Sequence, residues 1–115
     1  GAFGVVHRCR EKATGNFYAC KFVNAPTPQD KQTVHNEIEV MKDLNHPKLI
    51  RLHEAFEDKD EIAMVMELLT GGELFDRIAD DNYQMSEAEV ANYIRQVCEG
   101  IQHMHDNNII HLDVK

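Results

Sequence analysis

Apolar and β-branched residues gather in four short runs, and two longer stretches repeat them at helical spacing. Residues Phe3 to Cys9 and Phe17 to Val23 read as strands, and Thr14-Gly15-Asn16 between them reads as the turn of a hairpin. Pro26 and Pro28 stop the second strand, and Thr27 can cap a helix that has Pro28 in its first turn. Val34, Ile38 and Met41 form one apolar stripe on that helix, which ends before His46-Pro47. Leu49 to Phe56 and Ile62 to Leu69 make a second strand pair, separated by the polar run from Glu57 to Glu61. Gly71-Gly72 breaks the chain, and a short helix is expected from Glu73 to Ala79. Ser86-Glu87-Ala88-Glu89 is a capping-box sequence, after which Val90, Ile94, Val97, Ile101 and Met104 keep helical spacing as far as Asn107-Asn108. Strands, one helix, strands, then helices only: the order is that of an α+β fold.

Composition narrows the function classes. With 20 acidic and 12 basic residues the net charge is -8, which disfavours nucleic acid or an anionic membrane as the main partner. The 43% hydrophobic content is that of a globular chain, and no apolar run reaches the roughly 18 residues that cross a bilayer. Cys9, Cys20 and Cys98 are odd in number and lack CxxC spacing, so they read as free thiols of a reducing compartment. His103 and His105 lie about 200° apart around a helix and cannot easily share an ion. No H-E-x-x-H or zinc spacing occurs, so no metal-ligating residues are assigned.

Four places carry chemistry. Gly1-Ala2-Phe3-Gly4-Val5-Val6 can bring backbone N–H groups close to phosphate oxygens, although two glycines three apart also suit a strand edge. Lys21 shares a strand face with Phe17, Ala19 and Val23, where an ammonium needs an anion unless it sits at an exposed edge. Glu37 lies about 60° from Val34, beside the apolar stripe, and can reach inward to Lys21. Asp113 and Lys115 could accept a hydroxyl proton and steady a phosphoryl group, or be an ordinary surface pair. Other polar residues are expected to be solvated: His35, Asn36 and Glu39 point more outward on the helix, and Glu57, Asp58, Asp60 and Glu61 form a turn.

In order and spacing, Gly1 and Gly4, Ala19 to Lys21, Glu37, Met64-Val65-Met66-Glu67, Gly71-Gly72-Glu73-Leu74-Phe75 and His111 to Lys115 resemble the first half of a protein kinase catalytic domain. The resemblance implies a five-stranded antiparallel sheet with one helix as an N-lobe over residues 1–69, and the first helices of a C-lobe over 70–115. It begins within the glycine-rich loop and stops within the catalytic loop, so the segment by itself is expected to be inactive. The implied activity is transfer of the γ-phosphoryl of ATP, with Mg2+, to a protein Ser or Thr hydroxyl.

The resemblance also implies roles. Gly1, Ala2, Phe3 and Gly4 would cover the phosphates, and Val6 and Ala19 would sandwich the adenine. Met66 would be the gatekeeper, Glu67 and Leu69 the hinge, and Glu73 would reach the ribose or a basic substrate residue. Lys21, Glu37, Asp113 and Lys115 would be catalytic, while Met41 and His111 would join the hydrophobic column between lobes. Leu112 stands where most kinases have Arg, so dependence on activation-loop phosphorylation is not expected. His-Leu-Asp and Gly-Gly-Glu-Leu-Phe are similar to the myosin light chain kinase group, with local likeness to the giant muscle kinases twitchin, projectin and titin. That implies a cytoplasmic, sarcomeric or cytoskeletal setting, and myosin light chain or another muscle protein as substrate. An autoregulatory C-terminal tail, and calmodulin or another tail-binding protein, would be the partners. A kinase-like scaffold or mechanosensing domain is the alternative, and a P-loop NTPase is disfavoured because G-x-x-x-x-G-K-[ST] is absent.

Overall fold

The computed structural model describes residues 4–110, so the expectations for Gly1, Ala2, Phe3 and for His111 to Lys115 lie outside the described residues. The chain divides into two compact units between Leu68 and Leu69. The first holds β1 (Gly4–Arg10), β2 (Phe17–Asn24), α1 (Pro28–Asp43), β3 (Leu52–Asp58) and β4 (Glu61–Met66). Its strands form one antiparallel sheet in the order β1-β2-β4-β3.

Turn chemistry sets the two hairpins. Gly15 has φ +78°, a conformation that a β-carbon disfavours, and it donates its N–H to the Glu11 carbonyl at 2.8 Å. Lys59 takes φ 56° in the tight β3–β4 turn, an uncommon conformation outside glycine. Directly paired residues share a face, so Gly4, Val6, Ala19, Lys21, Val23, Ile62, Met64, Met66, Leu52 and Ala55 lie on one side of the sheet. Helix α1 covers part of that side. Val34 and Ile38 join Val23, Ala25, Ile62 and Met64 in the core, with Met41 packed against it. Burying each of the larger side chains contributes about 1.5–3 kcal/mol.

The start of α1 is fixed twice over. The Asp30 N–H donates to the Thr27 hydroxyl at 3.1 Å, and the Thr27 N–H donates to the Asp30 carboxylate at 3.4 Å. This complete capping box, with Pro28 in the first turn, begins the helix where Thr27-Pro28 predicts it. The second unit holds α2 (Leu74–Ala79) and α3 (Glu87–Asp106). Asn107 caps the end of α3, and Asn108 follows at φ 63°.

Four expectations need correction. The described residues supply four strands and not five: the sequence itself contains only two strand pairs, and the fifth came from the resemblance alone. β3 starts at Leu52 because the segment after Pro47 folds on itself, the Leu49 N–H donating to the His46 carbonyl at 3.1 Å. β4 ends at Met66, short of Leu69. The Ser86 box is half made. The Ser86 hydroxyl accepts the Glu89 N–H at 3.2 Å, but the Glu89 carboxylate is taken by the Tyr83 hydroxyl, whose ring lies under the Arg77 guanidinium at 4.5 Å.

Met64 has 0% exposure, so Met64→Ala is expected to cost about 2–5 kcal/mol. Thr27→Ala removes one cap and is expected to cost about 1 kcal/mol. Urea denaturation of the two variants checks the ranking, and equal losses would contradict this account of the core.

Candidate active site

Alternation along β2 turns Lys21 to the face that α1 covers. Val6 on β1 and Met64 on β4 sit directly across from it, and Ala19 and Val23 flank it on its own strand. An ammonium among such neighbours loses hydration and requires a counter-charge. Glu37 supplies one, with its Oε1 at 3.5 Å from Lys21 Nζ.

The pair is unequal in exposure. The Lys21 side chain is 12% exposed and that of Glu37 is 47% exposed. At 3.5 Å the contact is longer than the roughly 2.7–2.9 Å of a tight charge-assisted bond. With water on the carboxylate, the attraction contributes about 0–1 kcal/mol. Its role is to aim the ammonium, which has three donors and therefore capacity for a further anion.

Three contacts fix α1 over the sheet besides its apolar stripe. Glu37 meets β2, His35 Nε2 lies 2.9 Å from Glu57 Oε2 on β3, and Lys31 Nζ lies 3.5 Å from Asp60 in the β3–β4 turn. The Asp60 carbonyl also accepts the Ala25 N–H at 2.6 Å. The acidic run is therefore a dock for α1 as well as a solvated turn, and His35 reaches it while staying 45% exposed. Lys31 and His35, four apart on one helix opposite a run of acids, were the legible signal.

Gly4 closes over the lysine. A β-carbon there would stand 2.9 Å from Lys21 Cε and 3.1 Å from Cγ, so the lysine stem occupies the space that glycine leaves. Gly4, Val6, Ala19, Lys21 and Met66 thus share one face, with Ala19 paired to Met66. Phe17 lies on this face too, but at its margin it is half exposed beneath the Arg8 guanidinium, 4.1 Å from the ring centroid. The Glu67 N–H donates to the Arg51 carbonyl at 2.9 Å, and its carboxylate accepts the Arg51 N–H at 3.3 Å. The group that Glu67 would offer a ligand is consequently its carbonyl.

In the second unit, Leu69 is exposed, and Glu73 is the N-cap residue of α2 without spending its side chain on the cap. Gly1, Ala2, Phe3, Asp113 and Lys115 lie outside the described residues. Among the described residues no group of three His, Cys, Asp or Glu could hold a metal ion. A cavity of about 750 Å³ in the first unit is lined by Phe17, Tyr18, His46, Arg51, His53 and Glu67 among others, and it includes neither Lys21 nor Glu37. The converging charges and the glycine contact, not cavity size, mark the site.

Comparison with known proteins agrees with this geometry. All of residues 1–115 match the family described as Protein kinase domain. The chain is 50% identical over 115 residues to Myosin light chain kinase family member 4 of Homo sapiens, covering 100% of this chain and 30% of that protein. It is 44% identical to Myosin light chain kinase, smooth muscle, of Gallus gallus, covering 100% of this chain and 6% of the relative. The solved twitchin kinase region from C. elegans superposes with a TM-score of 0.94 at 56% identity, covering 100% of this chain and 20% of that one. The autoinhibited serine kinase domain of the giant muscle protein titin gives 0.91 at 36% identity, covering 100% and 36%. The chain therefore spans less than a third of the curated relatives named here. With its whole length matched and its lysine, carboxylate and glycine assembled on one sheet face, the chain belongs to the protein kinase domain family.

Proposed function

We propose that the protein carrying this chain transfers the γ-phosphoryl of ATP to a Ser or Thr hydroxyl of a protein substrate. The observation that carries the reading is Lys21 held at 3.5 Å by Glu37 beneath Gly4. The residues fit a nucleotide triphosphate: the Lys21 ammonium lies beside a backbone position where a β-carbon would displace the lysine stem, with apolar Val6, Ala19 and Met66 on the same face. Mg2+ would neutralise charge on the phosphates when bound, and its ligands are not found among the described residues.

In this reading residues 1–69 are the N-lobe and 70–115 the start of the C-lobe. Lys21 orients the phosphates, Glu37 holds Lys21, and Gly1, Ala2, Phe3 and Gly4 bring backbone donors close to them. Met66 backs the adenine, the Glu67 carbonyl and the Leu69 backbone bond its edge, and Glu73 meets the ribose or a basic substrate residue. Asp113 accepts the hydroxyl proton, and Lys115 offsets charge on the moving phosphoryl group. Such transfer needs positioning and charge neutralisation more than covalent chemistry from the protein.

The names of the relatives support a muscle setting, with myosin light chain or another contractile protein as substrate and a sarcomeric or cytoskeletal location. The twitchin fragment is described as autoregulated and the titin domain as autoinhibited, which supports control from within the full protein; a C-terminal tail released by calmodulin or another tail-binding protein fits that reading.

In the full protein, Lys21→Met is expected to lower kcat for peptide phosphorylation by about 10²–10³, the range for losing one aimed electrostatic donor. Glu37→Gln, which keeps a hydrogen-bond acceptor, is expected to lose less. Steady-state transfer of labelled phosphate measures both, and full activity in Lys21→Met would sink the assignment. Gly4→Ala should displace the lysine stem, raising KM for ATP while leaving the urea midpoint near that of the parent, because the contacted atoms belong to a flexible side chain. An unchanged KM would show that Gly4 does not set the lysine.

A further inference from the structure

The face of the sheet opposite Lys21 carries a second pair of reactive groups. On β1 and β2, Cys9 is paired with Tyr18 and Cys20 with His7, so the two cysteines are diagonal neighbours on one face. Diagonal residues stand about 7–8 Å apart at Cα in a flat sheet, and strand twist brings one of the two diagonals closer. Here both cysteines face the same side of the hairpin. The Cys9 thiol donates to the carbonyl of His7, the residue directly paired with Cys20, at 3.8 Å. Both line a cavity of about 170 Å³ together with Tyr18, His53, Phe56 and Val65.

We propose that Cys9 and Cys20 are a peroxide-sensitive dithiol that closes into a disulfide stapling β1 to β2. The inference does not rest on the phosphoryl-transfer reading. Cys9 is half-buried and Cys20 is only 7% exposed, so the oxidant meets Cys9 first. The Cys9 thiolate attacks one peroxide oxygen, a sulfur–oxygen bond forms, the oxygen–oxygen bond breaks, and hydroxide leaves to become water. The Cys20 thiolate then attacks the Cys9 sulfur, expelling a second hydroxide as the sulfur–sulfur bond forms. Two thiols and one hydroperoxide give one disulfide and two waters when the oxidant is hydrogen peroxide.

The environment orders these steps. Burial, then the hydrogen bond and the charge from Cys9, push the Cys20 thiol up to about 11. Cys98 is exposed and lies in the other unit, where it serves as an internal reference.

The test treats the reduced full protein with hydrogen peroxide, denatures it in excess maleimide and maps the peptides. The expected result is a linked Cys9–Cys20 peptide pair, with maleimide lost from both positions together and restored by dithiothreitol. In Cys20→Ser, Cys9 should instead be trapped as sulfenic acid by dimedone. The proposal is overturned if Cys9 proceeds to sulfinic acid while Cys20 keeps its maleimide, if either pairs with Cys98, or if both remain labelled. The mapping of the unsubstituted protein decides the matter even where a variant folds poorly.

Discussion

A cation placed in the middle of an apolar sheet face must find an anion, and the rest of the first unit follows from meeting that need. Lys21 stands between Val6 and Met64, where its hydration is lost and its charge would otherwise be uncompensated. The one helix of the first unit is α1, and the carboxylate comes from it. For Glu37 to arrive, the helix must begin at a fixed residue, lie on the core at a fixed rotation and resist sliding. The Thr27–Asp30 box sets the first, Val34 and Ile38 the second, and the contacts to Glu57 and Asp60 the third. The ion pair adds little stability of its own, yet it is made only when all of those are in place.

Because strand side chains alternate, β2 serves two faces with adjacent residues. Lys21 points toward the helix side, while Cys20 points to the side that carries Tyr18, Phe22 and His53. Ring contacts knit that outer face, with Tyr18 stacked on His53 at 4.5 Å and His7 against Phe22 at 5.9 Å. A covalent tie between β1 and β2 there would restrain the same hairpin that brings Gly4 onto Lys21. Strain applied on one side of a two-stranded ribbon is expressed as twist, and twist is felt on both sides.

Much of this was legible in the residues, for identifiable reasons. Thr27-Pro28 marks a helix start because it satisfies backbone donors locally, and Gly15 marks a turn because few other residues accept its backbone angle. The face of Lys21 follows from a period of two, and the inward reach of Glu37 from a period of about 3.6. What stayed illegible depends on partners distant in sequence. The Ser86 box is incomplete because Tyr83 competes for Glu89, and the acidic turn binds because α1 brings Lys31 and His35 to it. Leu49 has strand character, but the His46–Pro47 loop claims its N–H first. The fifth strand was never in the pattern, and Asp113 and Lys115 rest on motif order alone.

The division of labour between fold and site has a consequence for how this chain tolerates change. The residues that carry the first unit, Ile62 and Met64, are almost wholly buried and supply no charge to the site. Those that carry the site contribute little to folding: Glu37 is half in water, and the contact of Gly4 is with a flexible side chain. Loss of the ammonium, the carboxylate or the glycine therefore leaves a folded sheet and helix with a misdirected or absent charge. Loss of a core methionine lowers stability while the surviving folded molecules keep the geometry of Lys21. Stability and the aim of the lysine are separable here because the helix is seated by one set of side chains and holds Lys21 with another.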